Sequence, residues 1–225
     1  MKMRFSLSPE SHQEDEAKYW AAFSDVALSM LLIFVLFILA QFLSYQKIFV
    51  LEEIERRKSE VAQRVQGFTE QLGGVEVEVL SEDDLHQRIR ITGELVFEAC
   101  RDDMRPTGRD LLRELGSILS TREEYFESVQ VEGHADRQGA TGIVCRLEGI
   151  EDNWQLSARR ATEVVRLFSA AEFFPNAKLS SVGRGEFNSL SQPSDTTRAA
   201  LRRDRRIEIV LLYSEEGILP LTPDV

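Results

Sequence analysis

The chain has 225 residues, 43% of them hydrophobic and 29% charged, and a formal net charge of -11. So acidic a balance excludes a phosphate-gripping, nucleic-acid-binding surface, which needs clustered Lys and Arg. Its two cysteines, Cys100 and Cys145, and three histidines, His12, His86 and His134, form no metal-ligand spacing, so no metal centre is expected.

Residues 1–19 are polar, mixed in charge, and predicted to form a tail. Residues 20–44 hold an almost unbroken apolar run from Ala21 to Leu43. As a helix this run measures roughly 35 Å, enough to cross a hydrocarbon layer of about 30 Å. A cleaved signal peptide would have an apolar core of only about 7–15 residues ending in a small-residue cleavage site. This run is longer and ends without Ala-x-Ala, so a retained single transmembrane helix is expected. Trp20 suits an interfacial anchor, with Asp25 about one turn deeper and Ser29 a turn further on the same face. An aspartate inside a span is costly and is usually functional; the other reading is an N-cap at the helix start. Lys2, Arg4 and Lys18 precede the span and Lys47, Arg56, Arg57 and Lys58 follow it, so positive charge gives no orientation.

Residues 45–74 continue as a helix until Gly73 and Gly74. Leu51, Ile54, Lys58, Val61, Val65, Phe68 and Leu72 recur at alternating steps of three and four, a heptad seam. The seam predicts a coiled-coil-like linker that pairs two copies into a homodimer; the competing reading is a helix lying on its own domain. From residue 75 the texture changes. VEVEV alternates, and RIRITGELVFEA reads as one long strand. An amphipathic helix follows Pro106, then a strand over Val129–Val131, a helix over Leu156–Phe168, a strand over Leu179–Val182 and a last strand RIEIVLLY. This alternation predicts a two-layer α/β domain with a mixed sheet over 75–213, ahead of a loose tail over 214–225. In an oxidising compartment Cys100 and Cys145 can pair; equally, they can be two small buried hydrophobes.

Four segments, in order, resemble the OmpA-like peptidoglycan-binding domain: VEGHADRQG (Val131–Gly139), NWQLSARRA (Asn153–Ala161), VGRGE (Val182–Glu186) and DRRIEIVL (Asp204–Leu211). The resemblance implies that Asp136 and Arg160 bind peptidoglycan, that Asn153 and Leu156 shape their pocket, and that Arg206 stands near it. One carboxylate beside one guanidinium suits the free end of diaminopimelate, which carries an ammonium and a carboxylate together. Departures from the pattern are Ala135 in place of Thr, Asp152 in place of an aromatic, and a long segment from Arg137 to Asp152 carrying Cys145.

WAAFSDVALSMLLIFVLFIL is similar to the membrane segment of MotB-type stator subunits. That likeness implies an inner-membrane protein with a cytoplasmic amino terminus and a periplasmic domain. It also implies two copies inside a ring, by resemblance a pentamer, of a polytopic A subunit of the MotA or ZorA kind. Asp25 would be the ion carrier, with a proton favoured over sodium, and Ser29 would support it. The compact layout most resembles ZorB, the B subunit of Zorya anti-phage systems, with a flagellar MotB-like stator or a passive envelope tether as alternatives. No nucleophile, nucleotide or cofactor motif appears, so neither an enzyme nor a cofactor is expected.

Overall fold

The structure, a computed structural model, describes residues 9–73, 76–138, 142–216 and 218. The chain divides into two compact units, one ending at Phe49 and one running from Val50. The first eight residues, Gly139 of the first motif and the tail beyond 218 lie outside the described residues.

Helix α1 (Pro9–Gln71) begins inside the segment expected to be a tail. From Tyr19 on it has a stretch of mean hydropathy 2.8 with none of that stretch buried. It is long and apolar enough to cross a membrane. Phe23, Leu31 and Phe37 are each more than half exposed.

The second unit is a five-stranded sheet with helices on one face. Its strands are β1 (Val77–Ser81), β2 (His86–Thr92), β3 (Phe126–His134), β4 (Leu179–Gly183) and β5 (Arg206–Tyr213). Their spatial order is β1-β2-β5-β3-β4, antiparallel throughout except for the parallel pair β3–β4. Helices α2 (Gly93–Val96), α3 (Pro106–Ser120), α4 (Ile143–Leu147), α5 (Asn153–Ala170) and α6 (Arg198–Asp204) connect them. A parallel pair needs a crossover, and α5 supplies it between β3 and β4. Pro106 opens α3, where its missing N–H costs nothing, and the Asp152 carboxylate caps α5 by accepting from Gln155 N at 2.7 Å.

Period-two alternation sorts each strand between two faces. Ile89 and Ile91 of β2, Val129 and Val131 of β3, and Ile207, Ile209 and Leu211 of β5 turn inward. There they meet Leu112 and Leu115 of α3 and Val164 and Phe168 of α5. Arg88, Glu132, His134, Arg206 and Glu208 occupy the opposite face as an ion network; Glu132 and Glu208 are only 2% exposed.

Three expectations need correction. The run RIRITGELVFEA is not one strand: β2 stops at Thr92, and Gly93 starts the single turn α2, its N–H bonded to Arg205 O at 2.8 Å. The heptad seam is covered by its own domain. Ile54, Lys58, Val61 and Val65 are each no more than 2% exposed, and the three apolar ones share the domain's own core with Ile89, Leu112 and Val129. A seam at steps of three and four is equally the buried stripe of a helix on a sheet, so the periodicity alone could not choose. Its polar member Lys58 is satisfied by Glu55, Ser81 and the Asp83 carbonyl. Finally, the tail begins tied down, with Ser214 N donating to Tyr125 O at 2.8 Å and Ile218 buried in the core.

Candidate functional site

A cavity of about 560 Å³ opens beyond the end of β3, between α2, the first turns of α5 and the start of β5. Its ionic lining includes Glu94, Asp136, Arg160, Arg198 and Arg205, with Leu156 as an apolar wall.

Asp136 arrives two residues past β3, so the strand's register sets its position. Its Oδ1 accepts from Gln138 N at 2.8 Å, a turn closed by a side chain, and its backbone carbonyl accepts from Asn153 Nδ2 at 2.9 Å. Asn153 therefore ties the loop carrying Asp136 to the start of α5. The other carboxylate oxygen pairs with Arg205 Nη1, while Arg205 Nη2 reaches Glu94. Burial lowers the Arg205 proton affinity, but Asp136 and Glu94 outweigh it, and the net shift is upward. Arg205 in turn holds the Glu94 carboxyl below its usual range.

Two turns into α5, Arg160 is only 6% exposed. Its Nε donates to Arg101 O at 2.9 Å and its Nη2 to Glu98 O at 2.8 Å, with the guanidinium carbon 5.3 Å from the centre of the Phe97 ring. Burial and the neighbouring Arg205 push its pKa down to about 10, which leaves it charged at neutral pH. Its remaining N–H groups have no hydrogen-bond partner among the described residues. Two donors fix the plane of the fork; the rest are free for an anion.

β3 can lie this close to α5 because residue 133 is glycine. A Cβ there would sit 2.1 Å from Ser157 O. The adjoining turn is closed by Gly185 at φ +57, whose N–H bonds Ser157 Oγ at 3.0 Å and whose carbonyl accepts from Ala135 N at 2.8 Å.

Of the residues singled out from sequence, Asp136, Asn153, Leu156 and Arg160 come together here; Arg206 does not. It is buried on the sheet's other face, donating to Glu208 Oε1 at 2.7 Å and to Asn188 O at 2.9 Å. Successive residues in extended chain point to opposite sides, so an arginine one position earlier, Arg205, reaches the cavity. Arg205 and Glu94 were missed, and the first was findable. Arg206 and Glu208 alternate with inward Ile207 and Ile209, which puts Arg205 on the other side. Cys100 and Cys145 form a disulfide with Cα atoms 4.7 Å apart, and Cys100 also lines the cavity.

Glu132, His134 and Glu208 bring three potential metal-ligand atoms within 4.8 Å of one another. Each carboxylate is already engaged by guanidinium groups, Glu132 by Arg88 and Arg184 and Glu208 by Arg88, Arg90 and Arg206. A divalent cation would add charge beside four fixed cations, so the cluster suits an ion network better than a metal.

In α1, Asp25 and Ser29 share a face, and Ser29 Oγ donates to the Asp25 backbone carbonyl at 2.7 Å. The helix already runs through this position, so Asp25 is not its N-cap.

Residues 96–204 match the model of the OmpA family. A curated relative, the uncharacterized protein YtxE of Bacillus subtilis, is 26% identical over 121 residues; the alignment spans 54% of this chain and 46%, about half, of that protein. Among solved structures, a MotB-like protein from Desulfovibrio vulgaris is similar at 23% identity, covering 73% of this chain and 96% of that one, with a TM-score of 0.62. The cell wall anchor of the T6SS from Pseudomonas aeruginosa is similar at 21% identity, covering 68% and 97%, with a TM-score of 0.56. The periplasmic domain of Helicobacter pylori MotB (residues 97–256) is similar at 20% identity, covering 60% and 88%, with a TM-score of 0.51. At these identities the likeness is one of fold. The chain therefore joins a long apolar helix to an OmpA-like α/β domain with a mixed five-stranded sheet.

Proposed function

We propose that the chain is the B subunit of an ion-driven inner-membrane stator whose second unit grips peptidoglycan. The observation that carries the wall-binding half is the cavity that sets Asp136 against Arg160 and Arg205. The free end of diaminopimelate bears an ammonium and a carboxylate on one carbon. The carboxylate lies against the unused donors of Arg160. The ammonium displaces Arg205 from Asp136 and finds Glu94 close by, so that both ligand charges are paired. Charge-assisted bonds of this kind contribute about 1.5–3 kcal/mol each, so losing one weakens binding about 10- to 100-fold.

The motor half rests on Asp25 in the apolar helix, which a passive tether does not need. In this reading the amino terminus is cytoplasmic and the domain periplasmic, where a disulfide persists. Two copies stand within a ring of polytopic A subunits, paired through their spans, since the seam after them is consumed by the domain. A role in Zorya-type anti-phage defence, or a flagellar one, follows from the resemblance of the membrane segment and the compact layout.

Co-sedimentation of the full-length chain in detergent with purified peptidoglycan tests the wall half. The wild-type chain is expected to pellet, and Asp136→Ala and Arg160→Ala to stay in the supernatant at the same concentration. Equal pelleting of all three removes the clamp from the account.

A further inference from the structure

Arg160 is held by carbonyls rather than by carboxylates, and both carbonyls belong to one short loop. Glu98 O and Arg101 O accept its two fixed donors. Ala99 and Cys100 lie between them at the cavity rim, and Cys100 has φ +56, a left-handed conformation that a non-glycine residue seldom adopts. Such a conformation persists where the surroundings over-determine it. Cys100 stands third in a turn that Arg101 N closes by donating to Glu98 O at 3.3 Å, and its side chain is bonded to Cys145, which sits 0% exposed in a small apolar cluster with Ile150 and Leu156. The partner segment is itself clamped to α5, with Arg159 donating to Glu148 O at 3.2 Å and to Gly149 O at 3.1 Å. Apart from the bridge, the loop is tied to that segment by one half-exposed ion pair, Arg101 to Glu148 at 3.2 Å, which contributes little in water.

We propose that the Cys100–Cys145 bridge is a positioning element for ligand binding: it fixes the Glu98–Arg101 loop so that two carbonyls hold the Arg160 guanidinium with its free edge toward the cavity. The proposal rests on the wall-binding reading of that cavity. Closing the bridge passes two electrons and two protons from the two thiols to a disulfide oxidant, which leaves as a dithiol; dithiothreitol reverses this and ends as its cyclic disulfide. Without the bridge the loop relaxes from its left-handed turn, and Arg160 loses the fork that orients it. Neither the sheet nor the ion network on its far face touches the bridge, so the rest of the domain keeps its structure.

The experiment uses the full-length chain in detergent, arginine-labelled with nitrogen-15, oxidised or reduced with dithiothreitol, and the variant Cys100→Ser with Cys145→Ser. Binding is measured with a synthetic stem tripeptide ending in diaminopimelate. Exchange of the Arg160 Nε proton is measured in the same samples, with the Arg206 Nε proton, buried and bonded to Glu208, as an internal control. Opening the bridge is expected to weaken tripeptide affinity about tenfold, a typical coupling between separated groups. Arg160 Nε exchange should quicken while Arg206 stays protected. Unchanged Arg160 exchange overturns the proposal, and so does loss of protection at both arginines, which would make the bridge a general support of the fold. Quickened Arg160 exchange with unchanged affinity also overturns it. If the oxidised wild-type chain itself fails to bind the tripeptide, the wall-binding reading falls, while Arg160 exchange still decides whether the bridge positions the guanidinium.

Discussion

Glu208 shows how single residues carry this domain's stability. Its carboxylate is 2% exposed and bonded to Arg88, Arg90 and Arg206. Burial alone would raise its pKa, but His134 and the surrounding guanidiniums hold it well below the ordinary value of 4.5. Glu132 is held down in the same way by His134, Arg184 and Arg88. A carboxylate depressed in the folded state stabilises it fully above the unfolded value. That contribution is lost as pH falls through the folded value. Melting temperature is therefore expected to be flat from pH 8 to about 5 and to fall steadily below about 4.5. Glu208→Gln takes a charged partner from the buried Arg206 and from the part-buried Arg88 and Arg90, and is expected to cost about 3 kcal/mol at pH 7 and much less at pH 3. Equal melting of variant and wild type at pH 7 would show that the network contributes nothing. At this scale the sequence was legible wherever a residue type and a motif coincide, as at Asp136 and Arg160. It was illegible where facing decides, as with Arg205 against Arg206, because identity alone does not say which side of the chain is wet.

The stretch of α1 from Val50 to Gln71 carries the lesson at the scale of elements. Its periodicity was plain, but its partner was not. A helix can hide an apolar stripe against a second helix or against its own sheet, and the arithmetic of steps is the same. What separates the two is the polar chemistry around Lys58. Its side chain is buried, and its backbone carbonyl accepts from Gln87 Nε2 on β2 at 3.0 Å, a match between helix and sheet that a symmetric helix pair would lack. Ile54→Ala is accordingly expected to destabilise the domain by about 2–4 kcal/mol, read by chemical denaturation. Val61→Cys, in a chain whose native cysteines are replaced, should resist both thiol labelling and cross-linking under native conditions. Efficient disulfide dimers at Val61 would restore the paired helix. The strands and the long helices of the domain were readable because their alternation and caps are local. The turn at Gly93, by contrast, rests on a hydrogen bond to Arg205, more than a hundred residues away, which no local pattern announces.

For the whole molecule, the decisive residue is Asp25, since an apolar helix joined to an OmpA-like domain could be no more than a leash. A carboxylate in a span is costly and is usually functional. As an ion carrier it must alternate between charged and neutral forms, and each charge crossing the membrane gains about 2.3 kcal/mol per 100 mV. An amide of the same shape cannot make that alternation. Asp25→Asn is therefore expected to leave membrane insertion, peptidoglycan co-sedimentation and capture of the proposed A subunit within about twofold of wild type. Biological output, read as phage protection or as motility, should be abolished. Asp25→Glu keeps the charge and shifts it by one methylene, so partial output is expected. A cell carrying Asp25→Asn with full output would reduce the helix to an anchor. A variant that fails to capture the A subunit would instead make Asp25 an assembly contact. Only silence of output with assembly intact assigns the carboxylate to ion transfer, because that outcome separates what the residue holds together from what it moves.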